Sequence, residues 1–138
     1  MLLIRNNAAI AAPVAIPATA TKVPFDTTVL STNGNLALND STVEVKTAGI
    51  YKTDCHVDLT NASTSAAATV TLTAYADGQP VPGATATATI AASSQAAIAL
   101  PWATKVIAAE RGTAQLSWYL SGGAVNLTNA IARVSRVI

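Results

Sequence analysis

The residues with the most chemical potential fall in one run, Tyr51-Lys52-Thr53-Asp54-Cys55-His56-Val57-Asp58-Leu59, which holds the chain's single cysteine and single histidine. Two chemistries suggest themselves there: a thiolate–imidazole nucleophile from Cys55 and His56, or a divalent-cation site from Asp54, His56 and Asp58. Alternation decides the first. In a strand, successive side chains point to opposite faces, so Tyr51, Thr53, Cys55, Val57 and Leu59 share one face and Lys52, Asp54, His56 and Asp58 the other. Cys55 and His56 therefore point apart and no dyad forms; Cys55 reads as a small buried hydrophobe. Asp54, His56 and Asp58 do line one face, neighbours being about 6.6 Å apart along the strand. Gathered across a symmetry axis, such a row could hold an ion. The simpler reading is a polar cross-strand ladder, with Lys52, at a subunit interface.

Other catalytic constellations are missing. Serine and threonine are abundant, but a hydrolase needs a general base; His56 is the one imidazole and there is no Gly-x-Ser-x-Gly elbow. A zinc hydrolase with three protein ligands would have to recruit carboxylates. A glycosidase carboxylate pair would need a lined cleft, and the aromatics are only Phe25, Tyr51, Tyr75, Trp102, Trp118 and Tyr119. Trp102 and Trp118 are expected to anchor the core or a subunit interface; Tyr119, on the face opposite Trp118, is the better exposed contact. The Asn-x-Ser/Thr triplets at Asn39, Asn61 and Asn126 read as turn and strand-edge residues. The expectation is a protein with no catalytic residues, metal or cofactor.

What positions these residues is a set of short alternating runs, as in Thr69-Val70-Thr71-Leu72-Thr73-Ala74-Tyr75-Ala76. A side-chain period of two marks half-buried antiparallel strands. Strands are predicted near 22–25, 36–38, 42–46, 50–59, 68–76, 85–91, 95–106, 113–120 and 125–137, making an all-β sandwich. Asn33-Gly34, Asp77-Gly78 and Gly122-Gly123 supply residues that tolerate positive φ at the turns. Gln79-Pro80-Val81-Pro82-Gly83 cannot join a central ladder and is expected at a corner. Although alanine is the best helix former, strict alternation in Thr85-Ala86-Thr87-Ala88-Thr89-Ile90 puts every threonine on one face of a strand, and a helix would scatter them.

At 138 residues the chain is about one domain. Its hydrophobic fraction is 51 %, much of it alanine, so the core is thin and part of the stabilising burial is expected between subunits. With 11 % charged residues and a formal net charge of +1, there is neither a basic nucleic-acid footprint nor an acidic tail. A lone cysteine excludes an intrachain disulfide. The start, Met1-Leu2-Leu3-Ile4-Arg5, has its charge after the apolar residues, the wrong order for a signal peptide, and no apolar run reaches the length of a membrane helix. Residues 1–21, apolar and interrupted by Pro13 and Pro17, read as an extended attachment arm outside a domain spanning 22–138. Leu2, Leu3, Ile4, Ile10, Val14 and Ile16 are its docking side chains.

Val23-Pro24-Phe25, then Ser41-Thr42-Val43-Glu44-Val45 running into Ala48-Gly49-Ile50-Tyr51, resembles the tumour necrosis factor and complement globular-head superfamily of jelly rolls. The likeness is greatest to its bacterial and phage members, such as the head domain of collagen-like spore-surface glycoproteins. Further matches are Ala74-Tyr75-Ala76-Asp77-Gly78-Gln79-Pro80-Val81-Pro82-Gly83, Glu110-Arg111-Gly112-Thr113-Ala114-Gln115-Leu116 and the closing Ala130-Ile131-Ala132-Arg133-Val134-Ser135-Arg136-Val137-Ile138. Arg111 stands where the family usually has Asp after Gly, and no collagen repeat precedes the domain, which makes the apolar arm the attachment device. The resemblance implies a ten-strand sandwich in a tight homotrimer with the terminal strand near the axis; Asp54, His56, Asp58, Tyr119 and Arg133 are the expected interface residues.

These readings converge on a non-enzymatic, trimeric virion structural protein at the phage particle surface, made in the host cytoplasm. It would be a capsid decoration or head-fibre protein docked on a major capsid or other virion protein, with neither nucleic acid nor membrane as partner. The alternative is a receptor- or host-surface-glycan-binding head of a phage fibre or bacterial surface filament, using loops around 61–66 and 122–125. Deleting residues 1–21 is expected to leave the sandwich folded and abolish attachment.

Overall fold

The computed structural model describes residues 1–5, 14–16, 19–32, 35–106, 114–123 and 125–137. Within them the chain forms β1 (Leu2–Arg5), β2 (Val14–Ile16), β3 (Thr21–Lys22), β4 (Thr27–Ser31), β5 (Leu36–Asn39), β6 (Thr42–Val45), β7 (Gly49–Thr60), β8 (Ala68–Ala76), β9 (Gln79–Ile90), β10 (Gln95–Val106), β11 (Ala114–Gly122) and β12 (Val125–Arg136). One antiparallel sheet runs β10-β7-β12-β1-β4, with β2 also on β12; the other runs β5-β6-β11-β8-β9, with β3 also on β11. The interleaved order, in which the chain crosses repeatedly from one sheet to the other, as from β6 to β7, β7 to β8, β9 to β10 and β11 to β12, makes this a jelly-roll sandwich.

Period-two patterning produces this architecture directly. On β7, Tyr51, Thr53, Cys55, Val57 and Leu59 are buried, and the residues between them are not. From the other sheet come Val70, Leu72, Ala74, Leu116, Trp118 and Leu120, all in the same core. Trp118 is 1 % exposed and meets Phe25 edge to face, with ring centroids 5.7 Å apart. The threonine prediction holds: Thr69 and Thr71 of β8 face outward and their hydroxyls bond those of Thr89 and Thr87 of β9 at 3.1 and 3.0 Å, while Ala84 and Ile90 turn into the core.

The turns follow their chemistry. Asp77 and Gly78 have φ of 51° and 79° and close a two-residue hairpin between Ala76 and Gln79, the primed geometry that matches strand twist. Gln79–Gly83 lies within β9, a strand rather than a corner. The prolines are tolerated because β9 is an edge strand, and its register with β8 shifts between Thr73 and Tyr75. A second two-residue hairpin, Asp40-Ser41, joins β5 to β6 with both φ positive. It was not expected, since neither residue is glycine, and Ser41 is braced by accepting from the Phe25 N–H at 3.0 Å. The Asn33-Gly34 turn and the Glu110-Arg111-Gly112-Thr113 match lie outside the described residues.

The first strand is the main departure from expectation. β1 lies inside its sheet, antiparallel to β12 on one side and β4 on the other, and Leu2 and Ile4 are 1 % and 0 % exposed. Their period-two spacing is that of a core strand, and the four-residue run was too short to be distinguished from an arm by patterning alone. A unit 1–21 separate from the sandwich is therefore corrected: the sandwich includes the first strand. β2 continues along the same edge of β12, pairing Val125, Asn126 and Leu127. β4 was also missed, because four of its five residues are exposed and show no alternation.

Candidate functional site

The outer face of the β10-β7-β12-β1-β4 sheet gathers most of the predicted site residues. Register places them in cross-strand lines. Pro101, Asp54, Arg133, Leu3 and Leu30 form one line across β10, β7, β12, β1 and β4. Ala99, His56 and Ile131 form the next, and Ala97, Asp58 and Asn129 the one after. A polar centre is thus flanked by alanines and proline on one side and by Leu3 and Leu30 on the other.

Each carboxylate in the row is engaged. Arg133 Nη2 donates to Asp54 Oδ2 at 3.1 Å, His56 Nε2 lies 3.1 Å from Asp58 Oδ1, and Asn129 Nδ2 donates to Asp58 Oδ2 at 3.2 Å. These side chains are about half exposed, so in a lone chain such pairs are screened and contribute little. Beside them a cleft of about 230 Å³ is lined by Leu3, Asp54, His56, Ile131, Ala132 and Arg133. Among the described residues no three His, Cys, Asp or Glu side chains are arranged to hold a metal ion.

Behind this face, burial pushes the Cys55 thiol well above its ordinary pKa, which keeps it protonated and non-nucleophilic. Tyr51 is likewise raised by burial, with Arg136 pulling the other way, and its hydroxyl donates to the Thr47 carbonyl at 2.7 Å. Asn61 is 1 % exposed. Its amide nitrogen donates to the Ala66 and Ile90 carbonyls at 2.9 and 3.0 Å and its oxygen accepts from the Ser63 N–H, so it braces the 61–66 loop.

The predicted residues divide as follows. Asp54, His56, Asp58 and Arg133 share the face with Leu3. Tyr119 does not: it lies on β11, on the outside of the opposite sheet, stacked on Tyr75 with centroids 4.1 Å apart. The five expected interface residues are therefore not one patch. Leu2 and Ile4 are core residues and unavailable for docking. Val14 and Ile16 belong to β2, and Ile10 lies outside the described residues.

The sequence did not point to a second cleft, about 250 Å³, between β9 and β10, lined by Val81, Pro82, Gly83, Ala84, Trp102 and Ala103. The indole N–H of Trp102 is buried there with no partner among the described residues. Val29 and Leu30, 50 % and 43 % exposed on β4, were missed with their strand.

No protein-family model and no curated protein sequence matches this chain. Solved structures do. Murine APRIL superposes with a TM-score of 0.62 at 12 % identity, covering 99 % of this chain and 98 % of that one. Vertex protein P5 of phage PRD1 superposes with a TM-score of 0.59 at 16 % identity, covering 99 % and 96 %. The chain is a tumour-necrosis-factor-like jelly roll along essentially its whole length.

Proposed function

We propose that this protein is a non-enzymatic, homotrimeric virion structural protein, a capsid decoration or head-fibre protein of a phage. The observation that carries the reading is the likeness to a phage vertex protein over 99 % of this chain and 96 % of that one. Cys55 and His56, the chain's one thiol and one imidazole, lie on opposite sides of β7 and so do not form a pair.

A three-fold ring joins two different patches of each copy. The edges of the sandwich offer such a pair: Leu30 and Val29 protrude at the β4 edge, and the Trp102 cleft opens at the β10 edge. Between them lies the Asp54, His56, Asp58 and Arg133 row, which burial in a trimer would free from solvent screening.

With Leu2 and Ile4 committed to the core, attachment falls to the span joining β1 to β2. This span, residues 6–13, contains Ile10 and has no Asp, Glu, Lys or Arg. Replacing 6–13 with an equal length of Gly and Ser is expected to leave the circular dichroism spectrum intact and remove the protein from co-sedimenting phage shells. Wild-type occupancy of the shells by that variant would refute docking through this span.

A further inference from the structure

The outside of the β5-β6-β11-β8-β9 sheet carries a surface that neither the proposed ring nor the attachment span uses. Tyr75 pairs with Ser117 and Tyr119 with Thr73, so the two tyrosines lie on a diagonal of the β8–β11 ladder. Their rings are tilted by 37° with centroids 4.1 Å apart. Both are half-buried outside the sandwich, so part of each ring meets solvent. Neither phenol hydroxyl has a hydrogen-bond partner among the described residues.

The surroundings are hydroxyl-rich and poor in charge. Thr73 and Thr85 pair across β8 and β9 beside Tyr119, and the Thr71–Thr87 and Thr69–Thr89 rungs continue the two columns. From Thr69 to Thr73 the columns extend about 13 Å along the strand. The Gln115 side chain is exposed on the same face. Two charged residues border these outward positions: Lys22, cross-strand from Tyr119, donates from Nζ to Thr42 Oγ1 at 2.9 Å, and Glu44 Oε1 accepts from Asn39 Nδ2 at 3.2 Å. At the centre of this face an uncharged ligand would find a ring surface, phenol and threonine hydroxyls and an amide, with Lys22 as a further donor at the rim.

That combination matches the two-sided chemistry of a neutral sugar ring, apolar on its C–H face and polar along its hydroxyl rim. We propose that the Tyr75–Tyr119 platform, extended by the threonine columns, binds a neutral oligosaccharide lying along the β8–β9 strands. The tyrosine rings stack on the sugar's C–H face and exclude water from it; the phenol hydroxyls, Gln115 and Thr85 take its hydroxyls. This does not rest on the virion reading, and it places recognition on a sheet face instead of the 61–66 and 122–125 loops.

The test is isothermal titration calorimetry of the full chain against soluble hexasaccharides of β-1,4-linked glucose, β-1,4-linked N-acetylglucosamine and α-1,4-linked glucose. At least one is expected to bind. Tyr119→Ala and Tyr75→Ala should each weaken that binding about tenfold or more, as loss of one stacking surface implies. Tyr119→Phe, which keeps the ring and its packing, should weaken it only a few-fold, and Asp58→Asn on the opposite sheet should not change it. Heat with none of the three sugars, or binding unchanged in Tyr119→Phe and both alanine variants, would be expected of different surfaces: no heat at all overturns the platform, and so does binding insensitive to the tyrosines. A change of oligomeric state in Tyr119→Phe would make the face a contact between copies and overturn it too. Sugar binding by a monomeric protein would contradict the trimer and leave the platform standing.

Discussion

At the scale of single residues, the structure separates side chains that hold the sandwich from those that face outward. Asn61 is of the first kind. Its buried amide makes hydrogen bonds to Ala66, Ile90 and Ser63, and Asn61→Ala would leave buried carbonyls unpaired, costing about 2–3 kcal/mol. Urea unfolding checks this. His56 is of the second kind: its contact with Asp58 is half exposed, and His56→Ala should change trimer stability by roughly 0.5–1.5 kcal/mol, the range of an ordinary hydrogen bond. A much larger loss, accompanied by stoichiometric metal in elemental analysis of the wild-type protein, would make His56 a ligand. Cys55 gives a pH signature. Its folded pKa is raised by burial, so its contribution is complete below the unfolded thiol's pKa of about 8.5 and is lost as pH rises above it, because only the unfolded state releases the proton. The melting temperature should fall from about pH 8.5 upward, and less steeply in Cys55→Ala. The fate of Cys55 and His56 was legible in advance, because strand alternation alone sets their faces. The second partner of Asp58 was not, since Asn129 reaches it across a register shift in β12 that no local pattern announces.

At the scale of elements, the long strands were legible, as were the short β5 and β6, but β1, β2 and β4 were not. β7, β8, β10, β11 and β12 run nine to twelve residues each, long enough for a period of two to be distinguished from other spacings. β1 and β2 have four and three residues, and the prolines at 13 and 17 drew attention to an extended arm instead. β4 is an edge strand whose exposed valine and leucine carry no alternation to detect. The consequence for β1 is testable: it supplies Leu2 and Ile4 to the core and both neighbours of its ladder depend on it. Removing residues 1–5 should therefore unfold the sandwich, whereas an arm could be removed without loss. The Tyr75–Tyr119 contact was half legible, since Tyr75 continues the outward series Thr69, Thr71, Thr73; what alternation could not supply was the β8–β11 register that places Tyr119 beside it.

At the scale of the whole molecule, the fold is shared with murine APRIL and the PRD1 vertex protein at identities of 12 % and 16 %, so the same architecture is compatible with largely different residues. A core drawn from Val, Leu and Ala, with Trp118, Phe25 and Tyr51 as its large aromatics, leaves the outer face of the β10-β7-β12-β1-β4 sheet and the two clefts as the remaining burial to be gained. The account's central claim is that three copies close over that face. Sedimentation equilibrium at micromolar concentration tests it most directly: the wild-type protein should sediment as three copies of the 13.9 kDa chain, and Ile131→Glu, which replaces an apolar side chain of the outer face with a charge that the interface would have to bury, should give a folded monomer. A wild-type monomer at that concentration, or a trimer indifferent to Ile131→Glu, would contradict the account.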